Sequence, residues 1–178
     1  VSYLIYGSLD YTDAAGSGTL SGGGCRWVNS AGGFVHRENP RRKPGEFWGL
    51  HRWITLPQTE KYGPGESRVF DSDSIPVHRG EDGVITRIIA GEYEGIQGPG
   101  GRYPENTLLL DISIPPLTPL QLKIPSEYRV LLSALVIMAG KPLHEPVAWE
   151  GTIVMCDRPS LRRAQNEAGD LPFGRYRD

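Results

Sequence analysis

Glycine and proline settle the first question. The chain carries 23 glycines and 15 prolines among 178 residues, about one residue in five, against roughly one in eight in average usage. Inside a helix each Gly costs about 1 kcal/mol and each Pro about 3 kcal/mol relative to Ala. A helical bundle or coiled coil is therefore excluded, and a turn-rich, all-β architecture is favoured. Hydrophobic residues are 38% and charged residues 22%, enough for a core and too little charge for a disordered chain. With 19 basic and 21 acidic residues the net charge is −2, so no basic field exists to hold nucleic acid by counterion release. The longest apolar run, residues 130–140, is broken by Ser133 and falls short of the about 20 residues that a membrane helix needs. Neither direct nucleic-acid binding nor membrane insertion is expected. Cys25 and Cys156 read as two reduced thiols of an intracellular protein, cytoplasmic or nuclear, although spacing alone leaves a bridge open. The opening Val1-Ser2-Tyr3-Leu4 shows no basic leader and reads as a chain entered in mid-fold.

Residues 1–11 are β-branched and aromatic around Gly7-Ser8, which predicts two strands about a tight turn or one bulged strand. Residues 12–24 are turn-dense and read as a flexible hairpin loop. No Lys-Ser/Thr follows their glycines, so a phosphate cradle is disfavoured. Further strands are expected at 25–28, 46–56, 83–91, 108–114, 120–124, 135–139 and 147–154, and with the segment that carries His36 and Glu38 the count is nine or ten. Residues 120–124 (LQLKI) alternate apolar and polar. Asp157, Pro159 and the helix formers of 160–168 predict one helix near 158–168.

Chemistry concentrates at Gly32-Gly33-Phe34-Val35-His36-Arg37-Glu38. On a strand His36 and Glu38 stand at i and i+2, so they share a face about 7 Å apart. An imidazole and a carboxylate so placed suit a non-haem divalent metal with open positions; the competing reading is two polar residues on a solvated face. Of the other histidines, His51 lies between Trp48 and Trp53 and is placed either lining the same interior or as a core-edge residue. His78 and His144 read as loop residues. Arg41-Arg42-Lys43 reads as a solvated loop, and the four tryptophans as core, with a few available to an aromatic pocket. Neither a G-x-S-x-G elbow nor a Cys-His pair supports nucleophilic catalysis.

Several blocks in order carry a resemblance. They are Gly24-Cys25-Arg26-Trp27-Val28, the stretch from Ala31 to Glu38, Gly49 through Pro57, Lys61-Tyr62, Ile75-Pro76, Asp82-Gly83-Val84, Ile88 through Glu92, Ala139 through Val147, Gly151 through Met155 and Phe173-Gly174. Together they are similar to the pirin family of the cupin superfamily. The resemblance implies a bicupin: two antiparallel β-barrels, residues 1–95 forming the N-terminal one and 96–178 the C-terminal one with the helix. The family holds iron in its N-terminal barrel with three histidines and one glutamate, and the His-x-Glu half falls on His36 and Glu38. Some members oxidise quercetin with dioxygen; others act as transcription co-regulators through protein contacts. The implied metal is Fe(II), with Mn or Ni as alternatives, and Glu38 becomes the candidate catalytic base as well as a ligand. Two departures stand out. The family's His-x-His strand would precede the stretch matching residues 1–6. The second barrel is shortened, with only residues 129–134 between 124–128 and 135–140, so an open sheet edge is expected, covered by a partner, a second copy or the C-terminal helix. The implied alternatives are a flavonol-oxidising dioxygenase and a non-enzymatic scaffold whose metal site is degenerate or metal-free.

Overall fold

At Gly7 the backbone takes φ 94°, a conformation that costs a side-chain-bearing residue more than it costs glycine. The strands on either side of that corner enter different sheets, so residues 1–11 are two strands about a tight corner, not paired with each other, rather than one bulged strand. The structure, a computed structural model, describes residues 1–30, 33–41, 47–100, 107–133, 136–151 and 153–170. Ala31, Gly32, Arg42, Lys43, Glu46, Leu135, Phe173 and Gly174, to which sequence expectations attach, lie outside them.

The described strands are β1 (Ser2–Tyr6), β2 (Ser8–Asp13), β3 (Gly16–Ser21), β4 (Cys25–Asn29), β5 (His36–Pro40), β6 (Trp48–His51), β7 (Glu66–Phe70) and β8 (Val77–Arg79). They continue with β9 (Ile85–Ala90), β10 (Glu92–Tyr93), β11 (Ile96–Gln97), β12 (Leu108–Ser113), β13 (Arg129–Ser133), β14 (Val136–Gly140), β15 (Ala148–Glu150) and β16 (Ile153–Met155). The helix α1 (Arg158–Asp170) follows, where the capping residues predict it: Asp157 accepts the Ser160 N–H at 2.7 Å.

Three sheets build the body, in orders β3-β2-β5, β6-β1-β4-β7 and β13-β14-β12-β9-β8; β10–β11 and β15–β16 are separate hairpins. Each sheet buries a face by two-residue alternation. Leu4, Leu9 and Leu20 pack with Phe47 and Val69 between the first two sheets. On the other face of the four-stranded sheet, Tyr3, Cys25 and Trp27 meet Ile89, Leu109 and Val136 of the five-stranded sheet. There the Tyr3 hydroxyl donates to Asp111 at 2.5 Å. Burial, and then that hydrogen bond, push the Tyr3 phenol above its ordinary pKa. Ile88, Leu108, Leu110, Ile112 and Ile137 point the opposite way and are covered by Leu120, Leu122 and Ile124. Cys25 and Cys156 are both free and buried, and burial pushes the Cys25 thiol up to about 12. Among the described residues no helix is long and apolar enough to cross a membrane.

Several local expectations need correction. Residues 16–21 are not loop but strand β3, paired with β2 from Ser8↔Ser21 to Asp13↔Gly16. Glycines disfavour strands, yet here Gly18 makes room for Tyr11: a Cβ on Gly18 would lie 2.4 Å from the Tyr11 hydroxyl oxygen. The strand expected over 46–56 is confined to Trp48–His51. Residues 120–124 form no ladder; their apolar side chains cover a sheet face instead. Residues 147–154 fold back as the β15–β16 hairpin rather than one strand. The five-stranded ladder takes β8 and β9 from before residue 95 and β12 to β14 from after it. Strand β13 ends that sheet with Val130, Leu131 and Leu132 exposed at 54%, 49% and 63%, while α1 packs on β15 and β16.

Candidate functional site

Strand register assembles the site in the space between the three- and four-stranded sheets. In β1, Ser2 shares its face with Leu4, which points inward. Ser2 is paired with Arg26 of β4 on one side and His51 of β6 on the other. Directly opposed residues share a face, so Arg26, Ser2 and His51 form a row across the inner face. On the three-stranded sheet Leu9 points inward, and with it Tyr11 and Asp13. Their partners on β5 are Pro40, Glu38 and His36. His36 and Glu38 thus share one face, as their spacing predicts, with Glu38 half-buried and His36 exposed at its mouth.

One end of the row is a cation. Arg26 is fully buried. Its Nη1 donates to Glu38 Oε1 at 2.6 Å, and its Nη2 donates to Asp13 Oδ2. The Asp13 and Glu38 side chains are only 2% and 15% exposed. The guanidinium lies 4.6 Å from the Tyr11 ring centroid and 5.9 Å from that of Phe34, within cation–π range. Asp13 also accepts the backbone N–H of Ala15 at 2.7 Å and of Gly16 at 3.1 Å, closing the β2–β3 turn. Burial pushes the Asp13 carboxyl upward; the Ala15 N–H and the Arg26 guanidinium outweigh it, and its pKa falls below the ordinary value.

A relay runs from Glu38 to the rim. Ser2 Oγ lies 3.1 and 3.0 Å from the two Glu38 oxygens and 2.9 Å from His51 Nδ1. Trp53 Nε1 lies 3.0 Å from His51 Nε2. An indole N–H only donates, so His51 Nε2 is the acceptor and the neutral ring carries its proton on Nδ1. His51 then donates to Ser2, and Ser2 donates to Glu38. Burial lowers the pKa of both His36 and His51, against the opposing pull of Glu38. The His36 ring packs between Phe34 at 5.7 Å and His51 at 6.4 Å, centroid to centroid. Trp53 also stacks on Trp149 of β15 at 6.3 Å. Trp27 is buried in the core, while Trp48, Trp53 and Trp149 are exposed. His78 meets Tyr93 away from this row, and His144 lies in the loop before β15 with φ 57°.

A divalent metal does not fit this donor set. Among the described residues no group of three or more His, Cys, Asp or Glu side chains is arranged to hold one. The reason is visible in the bonds. Glu38 faces Arg26 and Ser2, and the His51 lone pair faces the Trp53 indole. His36 alone offers an imidazole with no such bond assigned to it. The expectation of His36 and Glu38 as a metal pair therefore meets a carboxylate already neutralised by Arg26. Sequence reasoning missed Arg26, Asp13 and Tyr11. The available signal for Arg26 was its inward phase between Cys25 and Trp27.

The fold built by these sheets is all-β and bicupin, the class of its structural neighbours. A quercetin 2,3-dioxygenase structure from Acinetobacter baumannii superposes with TM-score 0.83 at 21% identity, covering 96% of this chain and 75% of that one; at that identity the likeness speaks for fold. No family model matches the sequence. A pirin-like protein of Caulobacter vibrioides is 26% identical over 213 residues, 99% of this chain and 76% of the relative. Human pirin is 27% identical over 208 residues, 92% of this chain and 70% of the relative. A protein of Pseudomonas aeruginosa provisionally named a quercetin 2,3-dioxygenase is 25% identical over 213 residues, 96% of this chain and 75% of the relative. The chain is a pirin-family cupin. A matched stretch of 213 positions exceeds the 178 residues of this chain by 35, so at least that many positions of the Caulobacter relative have no counterpart within the match.

Proposed function

We propose that this chain works as a pirin-like scaffold acting through protein contacts, with the metal site of its N-terminal barrel degenerate. The observation that carries the reading is the 2.6 Å ion pair between Arg26 and Glu38. It engages the one carboxylate that a His-x-Glu site would bring to a metal. The contact surface in this reading is β13, the end strand of its sheet among the described residues, whose three exposed apolar residues suit strand addition by a protein partner or a second copy. Metal content of the purified chain, measured beside His36→Ala, together with quercetin consumption under air, tests it. Expected are no Fe, Mn or Ni above the control and no turnover. Near-stoichiometric metal that disappears in His36→Ala, with flavonol consumed, overturns it.

A second reading is a quercetin 2,3-dioxygenase-type oxidoreductase using Fe(II). His36 and Glu38 on one face favour it, as do the names of the relatives. In it Glu38 is the catalytic base toward a flavonol hydroxyl. It requires Glu38 to leave Arg26.

A further inference from the structure

We propose that β13 pairs with β13 of a second copy of this chain, antiparallel and centred on Leu131, so that two five-stranded sheets join into one. The inference rests on the reading of the chain as a scaffold acting through protein contacts, and it names the partner.

The edge lacks the devices that keep edges apart. Native edge strands are blunted by lysines, prolines, bulges or a covering element. β13 reads Arg129-Val130-Leu131-Leu132-Ser133, with its one charge at an end and no proline. Its ladder with β14 runs without a bulge from Arg129↔Gly140 to Ser133↔Val136. The helix α1, a cover expected from the sequence, packs on β15 and β16 instead. Val130, Leu131 and Leu132 are all exposed, on both faces of the sheet. Val130 and Leu132 stand opposite Ala139 and Ile137, on the face covered by residues 120–124. Leu131 stands opposite Met138, on the face that packs against the four-stranded sheet.

The strand is its own complement. A two-fold axis perpendicular to the sheet makes the pair antiparallel and keeps each residue on its face. Centred on Leu131, it sets Leu131 opposite Leu131, Val130 opposite Leu132 and Arg129 opposite Ser133. Every apolar residue then meets an apolar one on the same face, and the two arginines stand at opposite ends. Moving the centre to Val130 or Leu132 sets Leu131 against Arg129 or Ser133 instead. A narrow cleft opens at the same place, between the edge strand β6 and β13, with Val1, Leu50, Leu109, Leu131 and Met138 in its lining. The second Leu131 lies at its mouth. An unrelated protein strand would gain the same backbone bonds, but only a second copy brings this match with it.

The test is analytical ultracentrifugation of the full chain across a concentration series. Wild type is expected to pass from monomer to dimer and no further, because a two-fold pair uses up both edges. Leu131→Lys and Leu131→Glu, each alone, are expected to raise the dissociation constant about tenfold or more, since like charges then stand directly opposite. An equimolar mixture of the two is expected to restore dimers holding one of each. Thermal midpoints of the variants show that they fold. A second measurement needs no introduced charge: Leu131→Cys under mild oxidation is expected to give a disulfide-linked dimer. Ser133→Cys, which faces Arg129, is expected to give none, and the native Cys25 and Cys156 are buried. Wild type that stays monomeric or grows into larger species, or dimers indifferent to both charge variants and not trapped through position 131, overturn the inference while the scaffold reading stands. Metal-dependent flavonol turnover overturns the scaffold reading, and the strand pairing is still decided by these variants.

Discussion

Two interiors of this molecule follow the same alternation and are held by opposite means. On β12, Leu108, Leu110 and Ile112 face one way into an apolar layer, and Leu109 faces the other into a second. On β5, the same two-residue period turns Glu38 against Arg26 and Ser2, opposite Asp13 of β2, and leaves His36 on the same face at the exposed mouth. Apolar burial is graded: each side chain contributes roughly in proportion to the area it removes from water, about 25 cal/mol per Å². Charge burial is conditional. Each of the three charges is tolerable only while the other two are present. The apolar layers set whether the chain folds, and the charged one sets what can occupy its barrel.

The largest expected effect follows from that difference. Arg26→Met leaves the Asp13 and Glu38 carboxylates facing each other without a cation, and it should cost about 3 to 5 kcal/mol in a denaturant melt in metal-free buffer. Adding Asp13→Asn and Glu38→Gln should recover most of that loss, because nothing charged is then stranded. Leu110→Ala, at a fully buried position, should cost about 2 to 5 kcal/mol, and no second substitution among its polar surroundings should recover it. Recovery in the apolar layer, or its failure in the ionic one, would remove the distinction.

The same contrast explains what could be read from the sequence. Apolar alternation showed β9, β12 and the inward face of 120–124, because burial writes itself as hydrophobicity. His36 and Glu38 were legible as a pair on one face because the strand period needs no partner to be known. Arg26 was not legible as a functional residue. Its meaning depends on Asp13, which stands at the edge of a turn-dense stretch, and on Tyr11, whose ring explains why Gly18 sits in a strand. Those are relations between facing sheets, β4 against β2 and β5, and only the folded structure reveals them. The blocks shared with pirins marked the fold. They did not mark that an arginine would take up the glutamate.

A smaller effect distinguishes the charged interior by pH. The Asp13 pKa lies below its ordinary value of 3.8, so the unfolded chain binds the proton more readily than the folded one. Stability from this group is fully present above about pH 4 and is lost as pH falls below 3.8 toward the folded value. In Asp13→Asn with Arg26→Gln, that part of the acid limb should flatten, as read from thermal midpoints between pH 5 and 3. An unchanged acid limb would assign the loss to other carboxylates.

The smallest effect calibrates the others. Arg41 and Asp10 also form an ion pair, at 2.7 Å, on the outward face of β2, with side chains 60% and 41% exposed. Asp10 and Asp13 stand on one strand with arginine partners of the same chemistry, one pair in water and one in the barrel. The Arg41 guanidinium holds Asp10 below its ordinary pKa, but water screens exposed pairs and side-chain entropy opposes them. Asp10→Asn should leave the denaturation midpoint within experimental error, whereas Asp13→Asn should lower it, since a buried guanidinium then loses one of its two anions. Equal effects at both positions would mean that the Asp13–Arg26 pair is no more sheltered than a surface one, and that the barrel interior is wet enough for a metal to compete with Arg26.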